Sequence, residues 1–378
     1  MDILKKDQEK MMFFSSVLNG MVDMVRVVDL NNIVILTNRK MTEIIGDGKV
    51  GEKCFSIFES DIPCSECISA CAIKHQQSFS KIETFQGRTY SVVSSPIWNH
   101  NGTITAAVEV FRDITEEQKL RKEVDRHVRK MTDDLDLACK IQQSFLPKET
   151  SIRPPFSFHA LYKPCEQVSG DCYDIFYLDD EHIAFYIADV SGHGVPAAIL
   201  TAFLKEAILY RVRDENNQIN TPAQVLEGLS KRFAQVGLEQ QSYITVFYGL
   251  LHTKTGVMMY SNAGHSVPPL VIKNNSVSII EFPGIPISRW FETVIYENRE
   301  IQFEDGMQLL LLTDGIIEQD REIAEQELQK LIWFLEQHSE LEGKELLDRL
   351  WNRAWEANHS DLFKDDVTLF LIENIQGE

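Results

Sequence analysis

Aspartates that stand at the ends of apolar, strand-like runs are the residues best placed to do chemistry in this chain. Asp189 follows the run IAFYIA (183–188) and opens a glycine-rich turn, after which a helix is predicted. Three further acidic motifs lie beside predicted strands; they contain Asp171 with Asp174, Asp314, and Asp365 with Asp366. Carboxylates and water are the ligands that suit Mg²⁺ or Mn²⁺. The four motifs therefore predict a divalent-metal site, provided that the fold brings these strand ends together.

Each motif taken alone has a simpler interpretation. An isolated Asp-x-Ser-Gly is more often a helix N-cap than a metal site, because capping aspartates are frequent. His193 and His265 stand beside glycines in short loops, where a loop-stabilising role is favoured over general acid catalysis or metal binding. Of the two, His265 is expected to come closer to a substrate. It is the presence of four acidic motifs that favours metal binding.

The composition limits the classes of partner. The 378 residues carry a formal net charge of −20, with 44% hydrophobic and 25% charged residues, as is ordinary for a globular protein. The acidic excess argues against nucleic acid and against an anionic membrane surface. No apolar run approaches the roughly 20 residues of a membrane span, and the N-terminus lacks a signal-peptide core. The sequence predicts a cytoplasmic protein of two or three domains.

The chain divides into four predicted segments. Residues 1–20 form a short amphipathic helix, 21–115 a sensor-like domain, 116–150 a helical linker, and 151–378 a larger second domain. In the sensor-like segment two β-type runs precede a short helix. Three more strands follow, the last two joined by the hairpin signal Asn-His-Asn-Gly. This order resembles that of a PAS sensor domain.

The second domain is rich in predicted strands. They cover residues 156–162, 174–178, 183–188, 244–252, 257–263, 270–273, 308–313 and 367–371. Helices are predicted over residues 195–212, 222–234, 322–337 and 345–358. Because strands and helices occur in blocks and do not alternate one for one, the predicted fold class is α+β. The expected architecture is a largely antiparallel two-sheet sandwich flanked by helices.

Four cysteines cluster in the sensor-like domain; they are Cys54, Cys64, Cys67 and Cys71. In a cytosolic protein this spacing is compatible with zinc, with an iron–sulfur cluster or with a redox function. The opposing interpretation is that some of them are small buried apolar residues, since the usual zinc signature has two closely spaced pairs. The sequence leaves both interpretations open.

The linker carries apolar residues at the spacing of a coiled coil. A 4-3-4-3-7 spacing relates Val124, Val128, Met131, Leu135, Ala138 and Phe145, and Gln142 occupies the remaining seam position. This pattern predicts a parallel two-stranded coiled coil and therefore a homodimer. The alternative is an amphipathic helix that packs on its own domain.

The acidic motifs together resemble a known enzyme family. The segments VSGDCYD (168–174), ADVSGHG (188–194), SNAGH (261–265), TDG (313–315) and DDVT (365–368), with the lead-in IQQSFLP (141–147), are similar to the PPM-type metal-dependent serine/threonine phosphatases of the bacterial SpoIIE/RsbU branch. The resemblance covers about residues 138–373. It implies hydrolysis of phosphoserine or phosphothreonine in a protein, typically an anti-sigma-factor antagonist.

The resemblance also implies a role for each carboxylate. Carried over by position, the ligands of two Mn²⁺ or Mg²⁺ ions would be Asp171, Asp189, the backbone carbonyl of Val190, Asp314 and Asp365. Asp189 would bridge the two ions, and Asp366 or Asp174 would orient bound waters. Paired cations lower the pKa of a bound water and neutralise phosphoryl oxygens, so no protein nucleophile is needed.

Two other functions compete with this one. A scaffold that uses the phosphatase domain only for binding is disfavoured, because every implied side-chain ligand position is acidic. A redox- or metal-sensing signalling protein is the other alternative; its output would be dimer rearrangement through the cysteine cluster and not catalysis. The redox- or metal-sensing function could coexist with phosphatase activity.

Overall fold

The computed structural model describes residues 2–47, 49–58, 62–148, 150–237, 242–291, 294–317, 321–357, 363 and 365–375. The chain divides into two compact units, Met1–Lys130 and Met131–Glu378. Within the described residues, no helix is both long enough and apolar enough to cross a membrane.

The first unit is built on one antiparallel sheet. Its elements are α1 (Asp2–Asn19), β1 (Met24–Asp29), β2 (Val34–Thr37), α2 (Arg39–Ile45), a 3₁₀ turn (Cys54–Phe58), α3 (Ile68–His75), β3 (Phe79–Phe85), β4 (Arg88–Trp98) and β5 (Ile104–Asp113). The strand order is β2-β1-β5-β4-β3. Alternate residues of β4 are buried, which is the period expected of a strand with one covered face. The sensor assignment itself stays a prediction.

Helix α4 (Thr115–Phe145) contains the boundary between the two units. Its predicted seam residues Val124, Val128 and Met131 are 59%, 56% and 66% exposed. Gln142, predicted at a seam position, is buried instead and contacts the second unit's own residues. The coiled coil and the homodimer stay predictions.

The described residues of the second unit form sixteen further helices and strands. They are β6 (Thr150–Arg153), β7 (Phe156–Lys163), β8 (Asp171–Tyr177), β9 (His182–Val190), α5 (Val195–Leu209), α6 (Pro222–Gln235), β10 (Tyr243–His252), β11 (Val257–Ala263), β12 (Leu270–Lys273), β13 (Ser276–Ile279), β14 (Ile287–Ser288), β15 (Arg299–Gln302), β16 (Gln308–Leu312), α7 (Arg321–Gln337), α8 (Gly343–Ala357) and β17 (Val367–Asn374). A 3₁₀ turn, Asp314–Ile316, follows β16.

These strands form two antiparallel sheets. The first has the order β15-β11-β10-β9-β8, with β14 beside β10, and the second has the order β13-β12-β16-β17-β7-β6. The predicted α+β class and antiparallel sheets are thereby confirmed. Four short strands, β6, β13, β14 and β15, were not predicted. Strands β6, β13 and β15 lie at sheet edges, and β14 pairs with β10 outside the main strand order. Their mixed polar sequences give little hydrophobic signal.

Both faces of the central strands are buried. In β9, Phe185 and Ile187 pack into the core between the two sheets, whereas Tyr186 and Ala188 pack against helices α5 and α6. In β17, Leu369 packs in a third core with residues of α7 and α8. Burial on two faces explains why these strands have continuous apolar sequences and not alternating ones.

Candidate metal centre

Asp171 and Asp189 lie opposite each other on neighbouring strands of the first sheet. Strand β8 begins at Asp171, and the antiparallel register pairs this residue with Asp189 near the end of β9. Thr245 of β10 pairs with Asp189 from the other side. Asp171 is only 2% exposed. The sequence placed the start of β8 at Asp174, three residues late, because Ser169, Gly170 and Asp171 together give a turn signal.

Asp314, Asp365 and Asp366 meet at one end of the second sheet. Strand β16 ends at Leu312, which pairs with Leu369 of β17 in an antiparallel register. The residues that follow β16 are therefore neighbours of those that precede β17. Asp314 opens the 3₁₀ turn after β16, and the two adjacent aspartates stand directly before β17.

Hydrogen bonds join the two sheet ends. Oδ2 of Asp171 accepts hydrogen bonds from the hydroxyls of Thr313 and Thr368, at 2.7 and 2.6 Å. In the other direction, Oδ2 of Asp366 accepts a 2.8 Å hydrogen bond from the backbone N–H of Gly170. Three of the four predicted acidic motifs are thus connected directly, and the register of β8 and β9 adds the fourth.

Two glycines permit this close approach of backbones. A Cβ atom added to Gly170 would lie 2.8 Å from the carbonyl oxygen of Val190. A Cβ atom added to Gly315 would overlap the carbonyl oxygen of Asp366. Because glycine has no side chain, the motifs can pack without this obstruction.

The carboxylates raise one another's pKa values. Burial, followed by the charges of Asp314 and Asp365, raises the pKa of Asp189 to about 7. Burial and then the charge of Asp189 raise the pKa of Asp171 well above its usual range. Burial and the charge of Asp365 likewise raise the pKa of Asp314. Clustered acids repel in a buried site, and a divalent cation would relieve that repulsion, so the donor set fits Mn²⁺ or Mg²⁺.

Cys165 belongs to this cluster, although the sequence did not indicate it. Its Sγ and carboxylate oxygens of Asp365 and Asp366 lie within 4.8 Å of one another, the only such group of three metal-ligating side chains among the described residues. The backbone N–H of Cys165 donates to Oδ1 of Asp366 at 2.8 Å. Burial and then the charge of Asp366 raise the pKa of the thiol to about 12, so it is protonated at neutral pH. A cysteine without neighbouring ligands in sequence has no recognisable motif.

Gln142 is a second residue whose place in the site only the fold shows. Its side-chain amide donates to the carbonyl of Ser169 at 2.7 Å and accepts from the N–H of the same residue at 3.0 Å. It also donates to the hydroxyl of Thr201 on α5 at 3.1 Å. The hydroxyl of Ser169 in turn accepts a 3.0 Å hydrogen bond from the N–H of Asp171. The end of α4 therefore holds the segment that carries Asp171.

Asp174 is not brought to the other carboxylates. It lies on the helix-covered face of β8, where its neighbours Cys172 and Phe176 join the core formed with α5 and α6. Its Oδ2 forms an ion pair with Nζ of Lys205 at 2.6 Å. Asp171, three residues earlier, faces the second sheet, because successive side chains of a strand point to opposite faces.

The two histidines differ in their surroundings. His265 is buried, and burial lowers its pKa to about 4, so the ring is neutral at physiological pH. Its Nε2 lies 3.1 Å from the carbonyl of Leu312, close to the start of the Asp314 turn. His193 is 77% exposed at its side chain, and its Nδ1 lies 3.2 Å from a carboxylate oxygen of Glu166.

Three of the four clustered cysteines share one small cavity in the first unit. Cys54, Cys64 and Cys67 line it together with the buried ion pair of Arg26 and Glu109. Cys71 does not line this cavity; it lies within α3. No three of the four sulfurs lie within 4.8 Å of one another, all four residues being among those the structure describes. A metal or redox role for this cluster stays a prediction.

Comparison with known proteins gives a family match over the second unit. A model of the family described as Stage II sporulation protein E (SpoIIE) matches residues 179–374. The chain is 28% identical over 247 residues to the phosphoserine phosphatase RsbU of Bacillus subtilis (strain 168), an alignment that covers 63% of this chain and 69% of the relative. It is 26% identical over 190 residues to the phosphoserine phosphatase RsbP of the same organism, covering 49% of this chain but only 45% of that protein.

A solved structure shows the same fold. The SiaA-PP2C domain of Pseudomonas aeruginosa superposes with a TM-score of 0.56 at 20% sequence identity, covering 66% of this chain and 98% of that domain. At this level of identity the likeness concerns the fold alone.

Proposed function

Because this chain belongs to the SpoIIE family of metal-dependent protein phosphatases, we propose that it hydrolyses phosphoserine or phosphothreonine in a regulatory protein. The observation that carries the proposal is the meeting of acidic motifs from both sheets, tied together by the hydrogen bonds of Asp171 with Thr313 and Thr368. The resemblance in sequence makes an anti-sigma-factor antagonist the proposed substrate. Support comes from two relatives that are named as phosphoserine phosphatases.

The proposed metal ligands are the residues carried over by position: Asp171, Asp189, the carbonyl of Val190, Asp314 and Asp365. Two Mn²⁺ or Mg²⁺ ions held there would supply charge neutralisation and Lewis acidity for the attack of water on a phosphate ester. Asp366 accepts backbone hydrogen bonds and so keeps the segment before Asp171 in place. The neutral ring of His265 contacts the backbone carbonyl of Leu312 at the end of β16. This contact helps to position Asp314, two residues later in the chain.

The first unit is the proposed sensor of the signal that controls this activity. Its five-stranded antiparallel sheet with short helices supports the proposal. The exposed apolar side chains of Val124, Val128 and Met131 on α4 support a homodimer joined through that helix.

The decisive experiment compares two aspartate substitutions in the full chain. Asp189→Asn should reduce Mn²⁺-dependent hydrolysis of p-nitrophenyl phosphate and of a phosphoserine protein by more than about 100-fold, since even residues that only support metal ligands cost 10–100-fold. Asp180→Asn, a change at an exposed position outside the cluster, is the matched control. Full activity in Asp189→Asn would refute the proposed centre.

A further inference from the structure

The proposed metal ligands include no group that could donate a hydrogen bond to a phosphate. They are the carboxylates of Asp171, Asp189, Asp314 and Asp365 and the carbonyl of Val190, and as metal ligands all of these groups are acceptors. Phosphoryl oxygens are acceptors as well. A hydrogen bond to a phosphate at this centre therefore needs a donor from outside the ligand set.

Tyr243, the first residue of β10, lies on the same face of the first sheet as Asp189. Residues that pair directly across an antiparallel ladder have their side chains on one face, and Thr245 of β10 pairs with Asp189 of β9. Tyr243 precedes Thr245 by two residues on the same strand, so it shares that face. A position diagonal to Asp189 is within reach of an aromatic side chain.

Carboxylates of both sheets act on the phenol of Tyr243. Burial and then the charges of Asp189, Asp314 and Asp365 raise its pKa. Asp189 belongs to the first sheet, whereas the other two stand at the end of the second. The phenol therefore lies beside the place where the two sheet ends meet. Since an ordinary phenol has a pKa of about 10, this one is protonated at neutral pH and can donate.

The hydroxyl of Tyr243 is accessible and has no competing partner. The residue is half-buried, whereas Thr245, two residues along the strand, is buried. The hydroxyl forms no hydrogen bond with any residue that the structure describes, yet it is not among the enclosed polar atoms that lack a partner. It therefore faces solvent, from which a phosphate would enter the metal centre.

Contacts on two sides hold Tyr243 in place. Its backbone N–H donates to the hydroxyl of Ser191 at 2.8 Å, and its carbonyl accepts from the N–H of Ser191 at 3.0 Å. Ser191 belongs to the glycine-rich turn that follows Asp189. The ring of Trp290, just after β14, contacts the ring of Tyr243 with the centroids 5.5 Å apart. A donor held in this way loses little conformational freedom when it binds a ligand.

We propose that the hydroxyl of Tyr243 donates a hydrogen bond to a phosphoryl oxygen of the substrate and so orients the phosphate at the metal centre. The inference rests on the proposed phosphatase function and assigns a phosphate-binding residue to it. No covalent bond is made or broken at the phenol. Because the phosphoryl oxygen accepts this hydrogen bond both before and during the reaction, the contact contributes to substrate affinity more than to turnover.

Tyr243→Phe tests this role, because it removes the hydroxyl and keeps the ring. Titration calorimetry with inorganic phosphate on the Mg²⁺-loaded full chain should show an affinity about tenfold lower, since a hydrogen bond to a charged group is lost. The KM for p-nitrophenyl phosphate should rise about tenfold, while kcat should change by less than about threefold. Mg²⁺ affinity without phosphate should equal that of wild type.

Tyr210→Phe serves as the control. It removes the hydroxyl of an exposed tyrosine at the far end of α5, roughly 20 Å from the glycine-rich turn. In a wild-type chain that hydrolyses p-nitrophenyl phosphate, unchanged phosphate affinity and unchanged KM in Tyr243→Phe would overturn this role and leave the proposed function intact. A lower Mg²⁺ affinity in Tyr243→Phe would also overturn it, by assigning Tyr243 to the support of the metal ligands. Absence of metal-dependent hydrolysis in wild type would refute the proposed function and this role with it.

Discussion

The hydroxyl of Thr368 donates a 2.6 Å hydrogen bond to Oδ2 of Asp171, and through it a strand of one sheet orients a carboxylate of the other. Thr313 donates to the same oxygen at 2.7 Å, so that two hydroxyls of the second sheet fix one rotamer of Asp171. Thr313 directly precedes the proposed ligand Asp314, and Thr368 follows the proposed ligand Asp365 by three residues. The proposed metal ligands are therefore positioned by hydrogen bonds across the sandwich as well as by the strands that carry them.

Removal of one of these hydroxyls should weaken metal binding. Thr368→Val keeps the side-chain shape but loses the donor, and Mn²⁺ affinity should fall by about 10–100-fold, the usual effect of losing a group that orients a ligand. Titration calorimetry with Mn²⁺ measures this. Thr253→Val is the control, because it also removes a hydroxyl donor, but the hydroxyl of Thr253 donates to the backbone carbonyl of Glu181 and not to a proposed metal ligand. Equal Mn²⁺ affinity in wild type and Thr368→Val would contradict the assignment.

Loss of the Gln142 amide should destabilise the second unit. Gln142→Ala leaves the buried N–H and carbonyl of Ser169 without their partner, at a cost of about 2–4 kcal/mol in the free energy of unfolding. Urea unfolding measures the change. Gln143→Ala, at the exposed neighbouring position, should stay within about 0.5 kcal/mol of wild type. Similar stability of the two variants would show that the amide contributes little.

The stability of the metal-free protein should depend on Asp189 in a defined pH window. The folded state raises the pKa of this carboxyl from 3.8 to about 7. Between these pH values the folded state keeps a proton that the unfolded state has lost, so this group's contribution to the free energy of unfolding decreases as pH rises. Unfolding at pH 5 and pH 7.5 should therefore show a smaller loss of stability in Asp189→Asn than in wild type.

Mn²⁺ affinity should increase over the same pH window, because the cation competes with the proton on Asp189. Calorimetric titrations between pH 5 and pH 7.5 measure this dependence. An affinity that is constant over this range would show that Asp189 is already ionised without the metal.

Asp174 should prove separable from the metal centre. Asp174→Asn breaks the buried ion pair with Lys205 and should lower the free energy of unfolding by about 1–3 kcal/mol. Mn²⁺ affinity should remain that of wild type, since Asp174 faces helices α5 and α6. Comparison with Asp189→Asn in the same calorimetric assay provides the contrast. A loss of Mn²⁺ affinity as large as that of Asp189→Asn would show that Asp174 belongs to the metal centre.

Several features of this protein could be predicted from the sequence because their signals are local. The continuous apolar run before Asp189 and the helical pattern after Val195 identify a strand and a helix without knowledge of the rest of the chain. Strands and helices that occur in blocks predicted the fold class, and acidic motifs in a recognisable order predicted the family. Both are confirmed by the sheet order and by the family match over residues 179–374.

Other features were decided only by the tertiary structure. Asp171 and Asp174 lie on opposite faces of β8, and which of them meets the other carboxylates depends on the packing of the second sheet, whose Thr313 and Thr368 donate hydrogen bonds to Asp171. Gln142 and Cys165 reach the site through contacts with Ser169 and Asp366, the second of them more than 200 residues away along the chain. Sequence patterns report periodicity within a segment, whereas a site of this kind is formed where separate segments pack. Hydrogen bonding and burial in the folded chain therefore determine which residues belong to the site.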